Sequence, residues 1–282
     1  MRAAVLGSPV RHSLSPALHA AAYAALGLTW WRYEAIECDE AGLPALLDRC
    51  GPDWAGLSLT MPLKRSVLPL LDRVEPLVSE VGAANTVLLA EAQRLGYNTD
   101  VRGMVRALHE HGVGTGLGPV GPALILGGGA TACAALAALR DLGERSVSVA
   151  VRDPAGTSDL LAAADRMGVA VSLRAFGASA LTGARLVIST VPAGAADAAA
   201  CTLGQLRPVP EVVFDVVYHP WPTALGAAAQ GAGAVVVGGF DLLLHQAALQ
   251  VELMTGRPAP LEEMRHAGEV ALGNSQRGFT VL

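Results

Sequence analysis

A lysine and an aspartate in this 282-residue sequence have the chemistry and the settings that proton transfer requires. Lys64 ends the run TMPLK at 60–64, directly after an apolar stretch, and Asp100 follows the turn GYNT at 96–99. Burial in a cleft lowers the pKa of an amine toward neutrality, whereas a neighbouring carboxylate opposes that shift and fixes the direction of the ammonium. If the fold brings these two side chains together, they form a general acid/base pair.

A glycine-rich segment is the second feature with a chemical role. Gly127-x-Gly129-x-x-Ala132 lies between an apolar run at 123–126, a predicted strand, and an Ala-rich run at 131–142, a predicted helix. In this setting the first glycine forms the tight turn, the second lets a pyrophosphate approach the backbone, and the small third residue allows close helix packing. The pattern predicts a dinucleotide site. Together with the lysine and the aspartate, it indicates an enzyme that transfers a hydride and a proton.

The end of the next predicted strand, at 146–151, is expected to lie beside the adenosine ribose. Arg152 could pair with a 2′-phosphate, which favours NADP. Asp153 could instead accept hydrogen bonds from a free ribose and would repel a phosphate, which favours NAD. A solvated Arg-Asp turn is the third interpretation.

Two hydroxyls near the amino terminus suit an anion such as a substrate carboxylate. Ser13 and Ser15 belong to the run SLSP at 13–16, in which we interpret Ser15 as the N-cap of a helix and Pro16 as its first turn. Backbone amides at a helix start attract negative charge. Capping alone would explain Ser15, whereas Ser13 adds a hydroxyl that capping does not need.

Composition restricts the class of protein. The chain is 52% hydrophobic and 16% charged with a net charge of −5, so it can bury a large core and lacks the basic surface of a nucleic-acid-binding protein. No apolar stretch reaches the roughly 20 residues of a membrane span. The four cysteines are scattered without zinc-site spacing. We expect a soluble cytoplasmic protein with reduced thiols, no bound metal, no nucleic-acid partner and no membrane partner.

The elements that must position these residues alternate along the chain. Strands are expected at 54–59, 123–126, 146–151 and 186–189, with helices between them that include one at 101–111. This alternation implies an α/β fold with a parallel sheet. A Gly/Pro-rich stretch at 112–122 marks a composition break, at or just before which we place a domain boundary. Helices expected at 240–254 and 261–271 would return to the first domain, and the tail 274–282 is expected to be disordered.

The motifs taken together resemble the shikimate dehydrogenase family, and the general character of the sequence is similar to that of its high-GC actinobacterial members. The matching runs cover nearly the whole chain and are SLSP at 13–16, TMPLK at 60–64, ANT at 84–86, NTD at 98–100, GGG at 127–129, STVP at 189–192, the pattern D-x-x-Y-x-P-x-x-T at 215–223, and 239–246. Unrelated dinucleotide enzymes share only the glycine loop, so the set is specific.

The resemblance implies a two-domain protein. An α/β substrate domain with a mixed, mainly parallel sheet would comprise 1–103 and 239–282, and a Rossmann dinucleotide-binding domain would comprise 104–238, with a cleft between them. The implied reaction is the NADPH-dependent reduction of 3-dehydroshikimate to shikimate, with Lys64 as proton donor and acceptor beside Asp100. The substrate-binding residues implied are Ser13, Ser15, Thr60, Asn85, Asp100, Tyr218 and Gln246. The cofactor-binding residues implied are Gly127, Gly128, Gly129, Ala130, Thr131, Arg152, Asp153, Thr190, Val216 and Gly239.

Two alternatives stay open at this point. The first is an NAD-dependent quinate/shikimate dehydrogenase, which Asp153 favours because the family's usual Asn-Arg-Thr is Val-Arg-Asp here. The second is a non-catalytic dinucleotide-binding sensor on the same fold, although a sensor would need neither Lys64 nor Asp100. In each case the partner is a small molecule, and the protein would be a monomer or a homodimer.

Overall fold

Two six-stranded sheets organise the residues that the computed structural model describes, which are 1–116 and 120–278. The chain divides into two units, one formed by Met1–Asp100 with the chain from Leu243 onward and the other by Val101–Leu242. Each unit contains one sheet, so the α/β fold expected from the sequence is present.

The sheet of the first unit is mixed. Its strands are β1 (Arg2–Gly7), β2 (Arg32–Glu37), β3 (Trp54–Leu59), β4 (Arg73–Val74), β5 (Thr86–Ala90) and β6 (Gln93–Tyr97). They lie in the order β2-β1-β3-β5-β6-β4. β1 pairs in parallel with β2 and β3, while β5 runs antiparallel to β3 and β6. The carboxyl ends of β1 and β3 therefore meet at one edge, where the run TMPLK begins.

The sheet of the second unit is parallel throughout its described pairs. Its strands are β7 (Ala123–Leu126), β8 (Ser146–Val151), β9 (Ala170–Ala175), β10 (Leu186–Ser189), β11 (Val212–Asp215) and β12 (Val235–Gly238). The order β12-β11-β10-β7-β8-β9 is that of the doubly wound dinucleotide-binding fold. In this topology successive strands are added on one side of β7 up to β9 and then on its other side from β10 onward. Ligands bind at the carboxyl ends of the strands where this order switches, between β7 and β10.

Helices connect and cover the strands. They are α1 (Ser15–Ala25), α2 (Leu43–Asp48), α3 (Leu63–Ser66), α4 (Pro76–Val81), α5 (Thr99–Glu110), α6 (Ala130–Asp141), α7 (Ser158–Met167), α8 (Asp197–Leu203), α9 (Ala224–Gly231), α10 (Gly239–Thr255) and α11 (Leu261–Gly278). Short 3₁₀ turns lie at Leu68–Leu70, Pro154–Thr157 and Ala178–Leu181. None of the helices in the described residues is long and apolar enough to cross a membrane.

Each sheet supports an apolar core made of aliphatic side chains. In the first unit Leu6, Leu57 and Leu63 are fully buried together, and in the second unit Leu124 and Val213 are buried among alanines. Small side chains let the helices of the second unit approach its sheet closely. Ala132 and its neighbours on α6 are completely buried, as the small third position of the glycine motif predicts.

Three local expectations are wrong. Ser15 is not the N-cap of α1: the helix begins at Ser15, and the capping position is Leu14, which makes no side-chain cap bond. The helix expected from Val101 begins at Thr99, so Asp100 lies inside its first turn. The last helix continues to Gly278 and does not end at Ala271, so the tail expected to be disordered is helical as far as Gly278, while 279–282 lie outside the described residues.

Candidate active site

Lys64 and Asp100 form an ion pair in the first unit. Lys64 Nζ donates to Asp100 Oδ2 at 2.6 Å, and the two side chains are 17% and 7% exposed. The pair is thus largely shielded from bulk water, while the ammonium keeps some access to it. A proton on Lys64 is held in one direction by a carboxylate and can pass to an oxygen placed beside it.

The edge where β1 and β3 end positions Lys64. A methyl group at Gly7 would collide with the side chain of Thr60 and would lie 2.9 Å from Met61 O, so only glycine allows the run TMPLK to pack against the end of β1. Thr60 N donates to Leu6 O at 2.9 Å and fixes the start of that run. The short helix α3 follows at once and carries Lys64 in its second position.

Asn98 positions Asp100. Its Oδ1 accepts from Asp100 N at 3.1 Å, which caps the start of α5, and its Nδ2 donates to Ala83 O at 2.9 Å. The loop that contains Ala83 is also bound to the lysine segment, because Ala84 N donates to Lys64 O at 2.8 Å. The NTD run therefore caps a helix and also holds the aspartate against the lysine segment.

Asn85 connects the ion pair to other buried polar groups. Its Nδ2 donates to Asp100 Oδ1 at 2.8 Å and to Thr99 Oγ1 at 2.9 Å, and it lies 3.4 Å from Gln246 Oε1. Its Oδ1 accepts from Thr99 N at 2.8 Å. Of the substrate-site residues that the sequence predicts, the structure thus brings Lys64, Asp100, Asn85 and Gln246 into one hydrogen-bonded cluster.

The two serines lie at the start of α1, in the same unit. Ser13 Oγ accepts from Ser15 N at 3.3 Å, so Ser13 is the residue that satisfies an amide at the helix start. Ser15 is buried, with 4% of its surface exposed. Tyr218 follows β11 in the second unit, where burial raises the pKa of its phenol.

The glycine loop of the second unit has the geometry that a pyrophosphate needs. Gly127 has φ +107°, and a methyl group there would lie 2.6 Å from Thr190 Oγ1, so glycine is required at the tight turn. A methyl group at Gly129 would meet no atom within 4 Å, which leaves open space above this part of the loop. Gly128 packs near Val151, and Ala130 and Thr131 open α6 directly after the loop. The residues present therefore fit a dinucleotide phosphate.

The remaining predicted cofactor residues lie at the carboxyl ends of the same strands. Thr190 Oγ1 donates to Leu126 O at 2.8 Å and so ties the end of β10 to the glycine loop. A methyl group at Gly239 would collide with the backbone of Val216, so the first residue of α10 packs directly on the segment after β11. Thr190, Val216 and Gly239 therefore line the edge of the sheet where this fold binds ligands.

Arg152 and Asp153 follow β8, and both are exposed. The Asp153 carboxylate accepts from Ala155 N at 2.9 Å and caps the 3₁₀ turn that starts at Pro154. One oxygen of the acid is thus used within its own turn. No hydrogen bond or ion pair of the Arg152 guanidinium is present among the described residues, which leaves it available to an anion.

Several polar residues of the first unit were not predicted from the sequence. His19 is fully buried and stacks on Tyr33 with ring centroids 3.8 Å apart. Desolvation lowers the pKa of His19 to about 3, and the nearby Gln250 amide offsets this only in part. Spacing was the available signal: His19 lies four residues after Ser15, and Gln250 four after Gln246, so each pair shares a helix face.

The two sheets and the Lys64–Asp100 pair define the class of α/β dehydrogenases that use a dinucleotide. Residues 5–87 match the model of the shikimate dehydrogenase substrate-binding domain, and 239–267 match that of the shikimate 5′-dehydrogenase C-terminal domain. The chain belongs to the shikimate dehydrogenase family.

Full-length relatives support this assignment. A Thermus thermophilus protein named shikimate dehydrogenase (NADP(+)) is 39% identical, covering 97% of this chain and 99% of its own. The crystal structure of Mycobacterium tuberculosis shikimate dehydrogenase is 42% identical with a TM-score of 0.85, covering 95% of this chain and 98% of that one. The crystal structure of a Thermus thermophilus shikimate 5-dehydrogenase in complex with NADP(H) and shikimate is 35% identical with a TM-score of 0.81. The match covers 96% of this chain and 99% of that one.

Proposed function

We propose that this protein catalyses the reversible NADPH-dependent reduction of 3-dehydroshikimate to shikimate. The observation that carries the proposal is the 2.6 Å contact between Lys64 and Asp100 within a cluster of polar side chains. The relatives named shikimate dehydrogenase (NADP(+)) support the same activity.

The chain's own residues supply the proton in this reaction. When bound, the reduced nicotinamide supplies the hydride that adds to the ketone carbon. The carbonyl π electrons move to the oxygen, and the Lys64 ammonium donates a proton to the developing alkoxide. The cation also stabilises that negative charge before the proton moves. Asp100 holds the ammonium in place by accepting its hydrogen bond, and in the reverse direction the neutral amine removes the proton from the hydroxyl.

The substrate is proposed to bind mainly to the first unit. The ring hydroxyls would be held by Thr60, Asn85, Asp100 and Gln246. The hydroxyls of Ser13 and Ser15, near the start of α1, would bind the carboxylate, because amides and hydroxyls there favour an anion. Tyr218 of the second unit is proposed to complete carboxylate binding.

The dinucleotide is proposed to bind to the second unit along the glycine loop 127–131. We infer that Arg152 pairs with the 2′-phosphate, since its guanidinium is exposed beside the loop. Asp153 is committed in part to capping its own turn, which reduces the case for a ribose-binding carboxylate. Its negative charge nevertheless favours the alternative of an NAD-dependent quinate/shikimate dehydrogenase.

A steady-state assay that crosses shikimate and quinate with NADP and NAD tests this proposal. We expect kcat/KM to be highest for shikimate with NADP, measured by absorbance of the reduced nicotinamide. A preference for quinate with NAD would support the alternative. No turnover with any of the four combinations would favour a non-catalytic sensor, which the retained Lys64 and Asp100 argue against.

A further inference from the structure

A chain of hydrogen bonds, buried from Ser58 onward, runs through the first unit from Tyr33 to Asn85. The Tyr33 hydroxyl donates to Ser58 Oγ at 2.7 Å, and Ser58 Oγ donates to Gln250 Oε1 at 2.8 Å. Gln250 Nε2 donates to Thr86 Oγ1 at 2.9 Å. Thr86 Oγ1 donates to Asn85 Oδ1 at 2.9 Å. We call this series the Tyr33–Asn85 chain.

The carboxylate of Asp100 fixes the direction of these bonds. An ionised carboxylate only accepts, so Asn85 must turn its NH₂ toward Asp100 and its Oδ1 toward Thr86. Thr86 must then donate to Asn85 and accept from the NH₂ of Gln250. Gln250 Oε1 is left facing Ser58, which must donate to it. Each group in the series therefore has one orientation compatible with all the others.

Burial makes this orientation difficult to change. Thr86 is 0% exposed, Gln250 is 1% and Asn85 is 2%. A buried polar group that turns away from its partner has no water to replace that partner, so the orientations hold one another. Gln250 is the central link, because its two ends contact different strands: Ser58 on β3 and Thr86 on β5.

We propose that Gln250 is a positioning residue for the Lys64–Asp100 pair, acting through Thr86 and Asn85. The inference rests on the proposed function and extends it to residues beyond the substrate contacts. Because Gln250 donates to it, the Thr86 hydroxyl is left to donate to Asn85 Oδ1. Together with the bond from Thr99 N to the same oxygen, this holds the Asn85 amide with its NH₂ on Asp100 Oδ1. That bond leaves Oδ2 aligned with Lys64 Nζ. The chain includes two amides, which do not readily relay protons, so its effect is orientation of the acid and not proton conduction.

Substitution of Gln250 tests the proposal. Gln250→Met keeps the unbranched shape but removes the hydrogen bonds to Ser58, Thr86 and the Asn85 carbonyl. Gln250→Glu keeps the acceptor for Ser58 but cannot donate to Thr86 when ionised. We expect each variant to lower kcat for shikimate roughly 10- to 100-fold, because a small misplacement of reacting groups has effects of that size. The KM for NADP should stay at its wild-type value. Leu249→Met, an apolar exchange at the neighbouring buried position, is the control and should keep wild-type kcat.

A matched pair at Thr86 separates positioning from folding. Thr86→Val removes the hydroxyl at nearly constant volume and should lower kcat as Gln250→Met does, whereas Thr86→Ser restores the hydroxyl and should restore most of the rate. Folded Gln250→Met or Thr86→Val protein with kcat within about twofold of wild type would overturn the proposal, since such a change lies far below the expected loss. Equal losses for Thr86→Val and Thr86→Ser would also overturn it. An inactive wild-type protein would instead reject the proposed function.

Discussion

Partial burial is what distinguishes Lys64 from an ordinary surface lysine. Exposed ion pairs are screened by solvent and contribute little, whereas the Lys64–Asp100 pair, at 17% and 7% exposure, is screened much less. Asp100 is in turn held by Asn85 and by the start of α5. The Lys64–Asp100 pair is therefore held in one orientation, which the proposed proton transfer requires.

Removing the amine tests its role directly. Lys64→Ala should lower turnover by about 10²–10⁴-fold, the usual contribution of a general acid. The KM for shikimate should change little, because the proposed hydroxyl contacts remain. Steady-state kinetics measure both quantities, and Arg65→Ala, which removes the next cation on α3, is the control. Near-normal turnover in Lys64→Ala would exclude this lysine from the mechanism.

We expect cofactor preference to depend on Arg152, the residue proposed to pair with the 2′-phosphate. Arg152→Ala should weaken NADP binding much more than NAD binding, because only NADP carries the phosphate with which a guanidinium pairs. Titration of each dinucleotide against protein fluorescence measures the two affinities. Arg145→Ala, which removes an exposed arginine just before the same strand, should leave both unchanged. An equal loss for the two dinucleotides would contradict phosphate pairing.

At the scale of elements, the glycine loop divides its tasks between two residues. Gly127 adopts a positive φ and has no room for a side chain, whereas Gly129 is extended, with φ −82° and ψ −170°, and faces open space. The fold thus requires glycine at 127, and we expect ligand binding to require it at 129.

Alanine substitutions should separate these two tasks. Gly129→Ala should keep the wild-type melting temperature but weaken NADP binding, because its methyl group would occupy the space proposed for the pyrophosphate. Gly127→Ala should lower the melting temperature, because it adds backbone strain and a clash with Thr190. Thermal unfolding with and without NADP measures both effects. Unchanged NADP affinity in Gly129→Ala would contradict the proposed phosphate position.

Buried strands and the proximity of Lys64 to Asp100 were predicted from the sequence, whereas an exposed edge strand and the contacts of Gln250 were not. Trp54–Leu59 and Ser146–Val151 occur with the expected bounds because each is an apolar run enclosed by turn residues. The edge strand Ala170–Ala175 was missed because it is largely exposed and its alternation of Val171 and Leu173 with polar residues is brief. The contacts of Gln250 could not be predicted, since they join positions up to 192 residues apart, and spacing along one helix shows only which face a residue shares.

At the scale of the whole molecule, a buried neutral histidine makes stability depend on pH. The pKa of His19 falls from 6.5 to about 3 in the folded protein, because burial disfavours the imidazolium. Between these values the unfolded chain binds the proton and the folded chain does not. The part of the free energy of unfolding that is linked to His19 is therefore fully present above pH 6.5 and is lost as the pH falls from there toward 3.

This linkage can be measured by urea unfolding between about pH 5 and 6.5, a range above most carboxylate titrations. The free energy of unfolding should decrease by up to about 1.4 kcal/mol per pH unit toward acid. His19→Gln should flatten this slope, whereas His12→Ala, which removes an exposed imidazole, should keep it. A wild-type slope in His19→Gln would show that other groups cause the acid sensitivity.

The discontinuity of the first unit has a consequence for biosynthesis. Asn85 leaves the ribosome long before Gln246 and Gln250, which lie on the far side of the entire second unit in the sequence. Domains of a nascent chain generally fold in the order in which they are synthesised. The second unit is therefore almost fully synthesised while the first unit still lacks α10 and α11. Until α10 has been synthesised, Asn85 lacks its contacts with Gln246 and Gln250, so the polar cluster of the first unit forms only late in translation.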